Sequence, residues 1–158
     1  MNLFLQTVLS LLVGIVIAAF TSWITVRFAL KQFYSQKWWE RKADAYSSII
    51  EALYRVKHNI EERLWADSLE LEITEDNKKR LDANASKGYD EIYKAESIGA
   101  FVISEESSLA LTRLRQQLEK DDVDWATGNE PDRSKTLSAV IKCLEDIRRN
   151  AKRDLNIQ

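Results

Sequence analysis

The sequence predicts an all-α protein in which one N-terminal transmembrane helix is followed by an antiparallel, up-and-down four-helix cytoplasmic bundle. Three observations predict this class. Residues 2–26 contain no charged side chain, although 30% of the 158-residue chain is charged. Glycine and proline, the residues that most often interrupt helices, number only four and one. Beyond residue 36, apolar residues recur at a spacing of three and four, which is typical of helices with one face in a core.

The apolar segment at the N-terminus is long enough to cross a bilayer. Leu3–Val26 would measure about 36 Å as an α-helix, against a hydrocarbon core of about 30 Å. A signal peptide would place basic residues before a shorter apolar region, but here the basic residues follow it. An interfacial helix needs a charged face, which this segment lacks. We therefore expect residues 1–26 to form a transmembrane helix.

The charges that follow this segment predict its orientation. Five basic residues come soon after it: Arg27, Lys31, Lys37, Arg41 and Lys42. Before Asp44, only the acidic residue Glu40 opposes them. Because the cytoplasmic flanks of membrane spans are enriched in Lys and Arg, we expect the N-terminus outside and the C-terminal domain in the cytoplasm.

A stripe of small and polar residues within the span predicts the face by which two copies associate. These residues stand at every fourth position: Gln6, Ser10, Gly14, Ala18 and Ser22. Each four-residue step drifts by about 40° around the helix, which suits a right-handed crossing of the small-xxx-small kind. We expect a homo-oligomer held by this transmembrane association face, with a dimer ahead of larger rings.

Residues 27–35 are expected to form a basic and aromatic juxtamembrane connector that is helical. The residues expected at the membrane interface, or just beyond it, are Trp23, Arg27, Lys31, Trp38 and Trp39. Trp39 is in register with the apolar stripe of the next helix, which favours packing in the bundle. Trp38 points about 100° away, and the sequence leaves open whether it contacts lipid.

The bundle is predicted over residues 36–158. Its apolar stripes place four helices at about 36–68, 75–99, 105–120 and 135–155. Thr74, Ser104 and Ser134 are the expected N-caps of the last three helices. The short connections between these helices favour antiparallel neighbours.

Two connections are less regular. Residues 69–73 alternate apolar and acidic side chains, so this segment is either a helix end or a short extended stretch. Residues 121–132 are acidic and contain both Gly128 and Pro131, which predicts a loop. This loop does not match a calcium-binding EF-hand, because a count from Asp122 places Arg133 at the twelfth position, where a glutamate is needed.

No combination of residues predicts catalysis. His58 is the single histidine and falls off the apolar stripe, so we expect it to face solvent. Cys143 is the single cysteine, and its position predicts a small buried apolar residue. We therefore expect no enzymatic activity, no metal and no cofactor. The net charge of −2 gives no electrostatic reason to expect a nucleic acid partner.

The run KWWERKADAYSSIIEAL, at residues 37–53, resembles a segment that recurs in small bacterial proteins with one N-terminal span and a helical cytoplasmic part. The similar layout extends weakly to Arg153-Asp154-Leu155. This resemblance implies a single-pass protein of the bacterial inner membrane, and it implies no activity.

These features favour a non-enzymatic, membrane-anchored interaction or scaffold protein. The expected partners are the lipid bilayer, further copies of the chain, and a protein encoded by an adjacent gene. The alternative is a membrane-acting effector, such as a toxin or a phage-defence component, whose spans assemble and disturb the bilayer. The polar residues within the span are compatible with this alternative.

Overall fold

The computed structural model describes residues 2–99, 101–129 and 131–157, and for residues 2–13, 15, 16, 98, 99, 122 and 125 it describes the backbone alone. These residues form four α-helices: α1 (Asn2–Ser68), α2 (Glu75–Gly99), α3 (Glu105–Ala126) and α4 (Arg133–Asp154). The described part of the chain contains no β-strand. The predictions of an all-α protein and of a helical bundle are therefore confirmed.

The chain divides into two units, Met1–Glu40 and Arg41–Gln158. The first unit consists of the N-terminal part of α1. The second unit is the bundle, which the rest of α1 forms with α2, α3 and α4. The predicted span, the predicted connector and the first predicted bundle helix thus all fall within α1.

Contacts between helices show that neighbours in the bundle are antiparallel. Arg55 of α1 binds Glu91 of α2, whereas Arg63, further along α1, binds Asp82, which comes earlier in α2. The same inverse order holds between two other pairs of helices. Between α3 and α4 the contacts are Glu106–Arg153 and Asp121–Thr136, and between α1 and α4 they are Tyr54–Arg148 and Asp67–Arg133. A connection of only five residues joins α2 to α3, which are linked by Glu96 and Arg115. The bundle therefore has up-and-down topology.

The core lies along the apolar faces of the four bundle helices. Its fully buried side chains come from all of them: Leu53 and Val56 of α1, Ile92 of α2, Leu111 and Leu114 of α3, and Val140 and Ile147 of α4. Trp39 lies in the first unit and is 47% exposed. That Trp39 packs in the bundle stays a prediction.

Three helices end in the same way, with one residue in the left-handed conformation. After α1 this residue is Glu70 (φ 53°), after α3 it is Gly128 (φ 83°), and after α4 it is Asn156 (φ 53°). In each case the next backbone N–H donates to a carbonyl five residues earlier, as in a Schellman motif; for α1 the N–H of Leu71 donates to the Ala66 oxygen at 2.9 Å. Residues 69–73 therefore begin with the turn that ends α1, and no strand forms there.

Two predictions about the connection between α3 and α4 were wrong. Residues 121–126 belong to α3, so the loop begins only at Thr127. The N-cap of α4 is Asp132, whose carboxylate accepts hydrogen bonds from the backbone N–H groups of Ser134 (3.1 Å) and Lys135 (3.2 Å). Asp132 reaches the N–H groups of the second and third helical residues, which is the usual capping geometry, and Ser134 lies inside the first turn.

Among the described residues, no helix carries an apolar stretch long enough to cross a membrane. The predicted transmembrane helix of residues 1–26 is therefore not supported by this finding. That prediction depends largely on residues 2–13, 15 and 16, whose side chains the structure does not describe.

Candidate functional site

The first unit exposes many large apolar side chains between residues 17 and 39. Their exposed fractions range from 47% to 70%, and they are Ile17, Phe20, Trp23, Val26, Phe28, Leu30, Phe33, Tyr34, Trp38 and Trp39. A single exposed apolar residue is ordinary, but a large contiguous apolar surface marks a site for a membrane or a protein. We call residues 17–39 the exposed apolar segment. It is the clearest candidate for a functional surface among the described residues.

Trp23 lies where this segment changes from uncharged to cationic. Its ring stacks on Phe20, with the ring centroids 6.3 Å apart. On the other side, the guanidinium carbon of Arg27 lies 4.9 Å from the centre of the Trp23 ring. An aromatic ring between an apolar neighbour and a cation is suited to the boundary between hydrocarbon and lipid headgroups.

Two hydroxyl groups in the exposed apolar segment form hydrogen bonds within the helix. The hydroxyls of Thr21 and Thr25 donate to the carbonyls of Ile17 and Thr21, one turn earlier, each at 2.9 Å. These threonines therefore need no solvent partner for their protons, which lowers the cost of placing them in an apolar medium.

The predicted transmembrane association face is only partly described. Gly14, Ala18 and Ser22 are exposed, and a Cβ atom added at Gly14 would meet nothing within 4 Å. The side chains of Gln6 and Ser10 lie outside the described side chains. Three of the five residues of this face are therefore exposed.

The cationic flank, residues 27–42, contains one acidic residue, Glu40, whose charge is paired locally with that of Lys37. Glu40 accepts hydrogen bonds from Lys37 Nζ at 2.7 Å and from Gln36 Nε2 at 3.1 Å. The bond from Lys37, then that from Gln36, lowers the pKa of Glu40, so this carboxylate stays ionised and neutralises Lys37. Sequence reasoning identified the charges of this flank but not this pairing.

A buried polar cluster, which sequence reasoning missed, joins three helices of the second unit. The hydroxyl of Tyr46, a residue only 1% exposed, donates to the Asp154 carboxylate. The same hydroxyl lies 3.2 Å from each of the hydroxyls of Ser104 and Ser107. We call these four residues the Tyr46 cluster. Because it ties α1 to the start of α3 and the end of α4, its role is to hold the bundle together.

Contacts within and around the Tyr46 cluster keep the Asp154 carboxylate ionised. Burial raises the pKa of Asp154, but hydrogen bonds from Tyr46 and Ser104, together with the charges of Lys42 and Arg153, outweigh burial and lower it. Asp154 is therefore ionised at neutral pH and acts as the acceptor of the cluster.

His58 and Cys143 lie where the sequence predicted. The His58 side chain is 62% exposed, with Nδ1 3.9 Å from Glu62 Oε1. Cys143 is 4% exposed and its thiol donates to the Ala110 carbonyl at 3.6 Å. Burial, helped by the charge of Asp146, raises the pKa of Cys143 to about 12, so the thiol stays protonated and unreactive. Within the described residues, no group of three His, Cys, Asp or Glu side chains could hold a metal ion.

Comparisons of the chain with models of protein families, with curated proteins and with solved structures find no match. The function must therefore be inferred from the residues themselves. In the first unit the informative feature is the exposed apolar segment with its cationic flank. In the second unit it is a bundle whose described core residues and Tyr46 cluster lie within residues 41–158.

Proposed function

We propose that this protein is a non-enzymatic, membrane-anchored interaction or scaffold protein. The observation that carries the proposal is the exposed apolar segment, which continues the charge-free run of residues 2–26. Water is a poor solvent for such a surface, whereas a lipid bilayer or a second copy of the same helix would cover it. The apolar N-terminal part of α1 is the anchor in this proposal.

The boundary of the anchor is inferred from Trp23 and Arg27. Their contact combines an aromatic ring with the first charged side chain in the sequence. The positive balance of residues 27–42 favours the cytoplasmic side for everything that follows. Together with the resemblance of residues 37–53 to bacterial anchored proteins, this supports the inner membrane, with the N-terminus outside.

The bundle is the part that we expect to meet partners. Its apolar side chains form one core of its own, so the anchor is not needed to complete it. Its surface is rich in ion pairs between helices, such as Arg55–Glu91 and Asp67–Arg133, which suit exposure to water. The partners we propose are the bilayer, a further copy of the chain, and a protein encoded by an adjacent gene.

The anchor and its orientation can be tested with one fusion protein. A reporter enzyme that is active only outside the cytoplasm is fused after Gln158. We expect the fusion to stay in the membrane fraction through an alkaline carbonate wash, because a spanning helix is not released by loss of charge, and we expect the reporter to be silent. Release by the wash would contradict the anchor.

Three further outcomes of this fusion are informative. Arg27→Glu with Lys31→Glu removes the positive excess nearest the membrane, so this control should activate part of the reporter. Strong reporter activity in the unchanged protein would contradict the orientation. Growth arrest with loss of membrane potential, dependent on an intact span, would favour an effector over a scaffold.

Self-association through the transmembrane association face is tested by filling it. Gly14→Leu with Ala18→Leu should abolish association of the N-terminal helix in a membrane two-hybrid assay, because close approach of two backbones depends on small side chains. Leu12→Ala with Val16→Ala, off this face, is the matched control and should change association little. Equal behaviour of the two pairs would show that this face is not the interface.

A further inference from the structure

Trp23, Arg27 and Lys31 follow one another at four-residue intervals along α1. Residues four apart on a helix are neighbours on its surface, so an aromatic ring and two cationic groups share one side of the first unit. They line a shallow groove of about 530 Å³, and the residues of this groove are Trp23, Ile24, Arg27, Phe28, Leu30 and Lys31. We call these six residues the Trp23 groove. Its walls are apolar, and both of its charged groups are positive.

The two cations of the Trp23 groove have no carboxylate to neutralise them within the first unit. Residues 1–39 contain no acidic side chain, and the first one in the chain, Glu40, is paired with Lys37 at 2.7 Å. Glu40 also comes nine residues after Lys31, which is about 13 Å along a helix. Like charges one turn apart destabilise a helix. An anion that lies between Arg27 and Lys31 would remove this repulsion.

Trp23 holds Arg27 in place while the hydrogen-bond donors of Arg27 remain available. The guanidinium carbon of Arg27 lies 4.9 Å from the centre of the Trp23 ring. A cation–π contact depends on the charge of the guanidinium, so it leaves N–H donors free for an acceptor. Phosphate oxygens accept such donors strongly, often two at once. Arg27 is therefore positioned to bind a phosphate, and Lys31 adds a second positive charge one turn further along.

We propose that the Trp23 groove binds an anionic phospholipid, with its phosphate between Arg27 and Lys31 and its acyl chains against Ile24 and Phe28. Apolar walls beside two cations fit an amphiphile, whereas a soluble anion would leave these walls in water. A second copy of this face would bring further cations and increase the repulsion. A zwitterionic lipid carries its own ammonium group, which weakens the attraction. The inference rests on the proposed anchor and names the lipid that this anchor prefers.

The test measures which lipid stays bound to the full chain. The protein is purified in detergent micelles that contain equal amounts of phosphatidylglycerol, which is anionic, and phosphatidylcholine, which is zwitterionic. Native mass spectrometry counts the molecules of each lipid that each chain retains. We expect phosphatidylglycerol to be retained about fivefold or more over phosphatidylcholine, because each basic residue at the headgroups adds electrostatic attraction to an anionic lipid. Equal retention of the two lipids overturns the proposal.

Variants assign the preference to the groove. Arg27→Gln with Lys31→Gln removes both positive charges and keeps long polar side chains, so the preference should fall to about twofold or less. Lys79→Gln with Lys87→Gln, at two exposed positions of α2, is the matched control and removes the same charge from the bundle. The control should retain the two lipids in the same ratio as the unchanged protein. An equal loss of preference in the two variants, or a loss in neither, overturns the proposal.

A soluble phosphate and the anchor itself are tested separately. Glycerol 3-phosphate has the phosphate and no acyl chains, so an excess of it should leave phosphatidylglycerol bound. Displacement of the lipid would overturn the proposal in favour of a site for a soluble phosphate. A chain that resists the carbonate wash but shows no lipid preference contradicts this inference alone. Release by the wash contradicts the anchor, and the lipid site with it.

Discussion

Replacing Gly88 with leucine is expected to lower the free energy of unfolding of the bundle by about 2 to 3 kcal/mol. A Cβ atom added at Gly88 would lie 2.9 Å from the carbonyl oxygen of Ala52 and 2.9 Å from Cγ2 of Val56. The Ala52 oxygen belongs to the backbone of α1 and cannot turn aside, so the two helices must separate. The better helix propensity of leucine recovers only about 1 kcal/mol. Urea unfolding of the full chain in micelles, followed by far-ultraviolet circular dichroism, measures the loss.

Lys87 provides the matched control, because it is the preceding residue of α2 and is exposed. Lys87→Leu should change the free energy of unfolding by less than about 0.5 kcal/mol. The loss of stability in Gly88→Ala should lie between those in Lys87→Leu and Gly88→Leu, because alanine adds only the clashing Cβ atom. If Gly88→Leu were as stable as the unchanged protein, α1 and α2 could not approach as closely as described.

Gly88 also illustrates what the sequence could and could not predict. The spacing of apolar residues is local information, so it predicted α2 over residues 75–99, and the structure places α2 at Glu75–Gly99. From sequence alone, however, a glycine inside a helix is only a weak point of that helix. Position 88 needs glycine because α2 lies close to Ala52 there. Ala52 is 36 residues away along the chain, so no local pattern indicates this contact.

The end of α3 was missed because local and tertiary preferences disagree there. The acidic residues from Asp121 onward, with Gly128 and Pro131 after them, predicted a loop. Acidic residues are also unfavourable near the C-terminus of a helix, where the helix dipole is negative. In the structure, Asp121 accepts hydrogen bonds from Gln117 one turn earlier and from Thr136 of α4. These bonds offset the unfavourable charge, and α3 continues to Ala126.

The candidate sites also differ in whether the sequence alone could predict them. The exposed apolar segment follows from composition, because the absence of charge over residues 2–26 and the cations after it are readable in order along the chain. The Tyr46 cluster is not readable in this way. Tyr46 could be placed on an apolar stripe, but its partners Ser104 and Asp154 are 58 and 108 residues away.

Replacing Tyr46 with phenylalanine is expected to lower the free energy of unfolding by about 1 to 3 kcal/mol at neutral pH. The ring and its packing remain, and only the hydroxyl is lost. Ser107, which is 0% exposed, then loses one of its partners, and Asp154 loses a donor. Tyr54→Phe is the matched control, because Tyr54 is 41% exposed and water can replace its contact with Arg148. The control should change the free energy of unfolding by less than about 1 kcal/mol.

The effect of Tyr46→Phe should depend on pH through Asp154. In the folded protein the pKa of Asp154 is lowered, because the hydrogen bonds from Tyr46 and Ser104 and the nearby charges of Lys42 and Arg153 outweigh burial, which raises it. A lowered folded-state pKa stabilises the protein above the unfolded-state value of about 3.9 and ceases to do so as the pH falls through the folded-state pKa. In Tyr46→Phe, Asp154 stays partly buried but loses the hydrogen bond from the Tyr46 hydroxyl, so the folded-state pKa of Asp154 rises. The variant therefore lacks much of the stabilisation that the ionised Asp154 carboxylate gives the unchanged protein.

Urea unfolding of both proteins between neutral pH and about pH 3 measures this dependence. We expect the stability difference between the unchanged protein and Tyr46→Phe to be largest at neutral pH and to shrink below about pH 4, where Asp154 takes up a proton in the unfolded chain and then in the folded one. Tyr54→Phe should show no such narrowing. A difference that stays constant over this range would mean that the Tyr46 hydroxyl stabilises the bundle through Ser104 and Ser107, and that the Asp154 carboxylate contributes nothing.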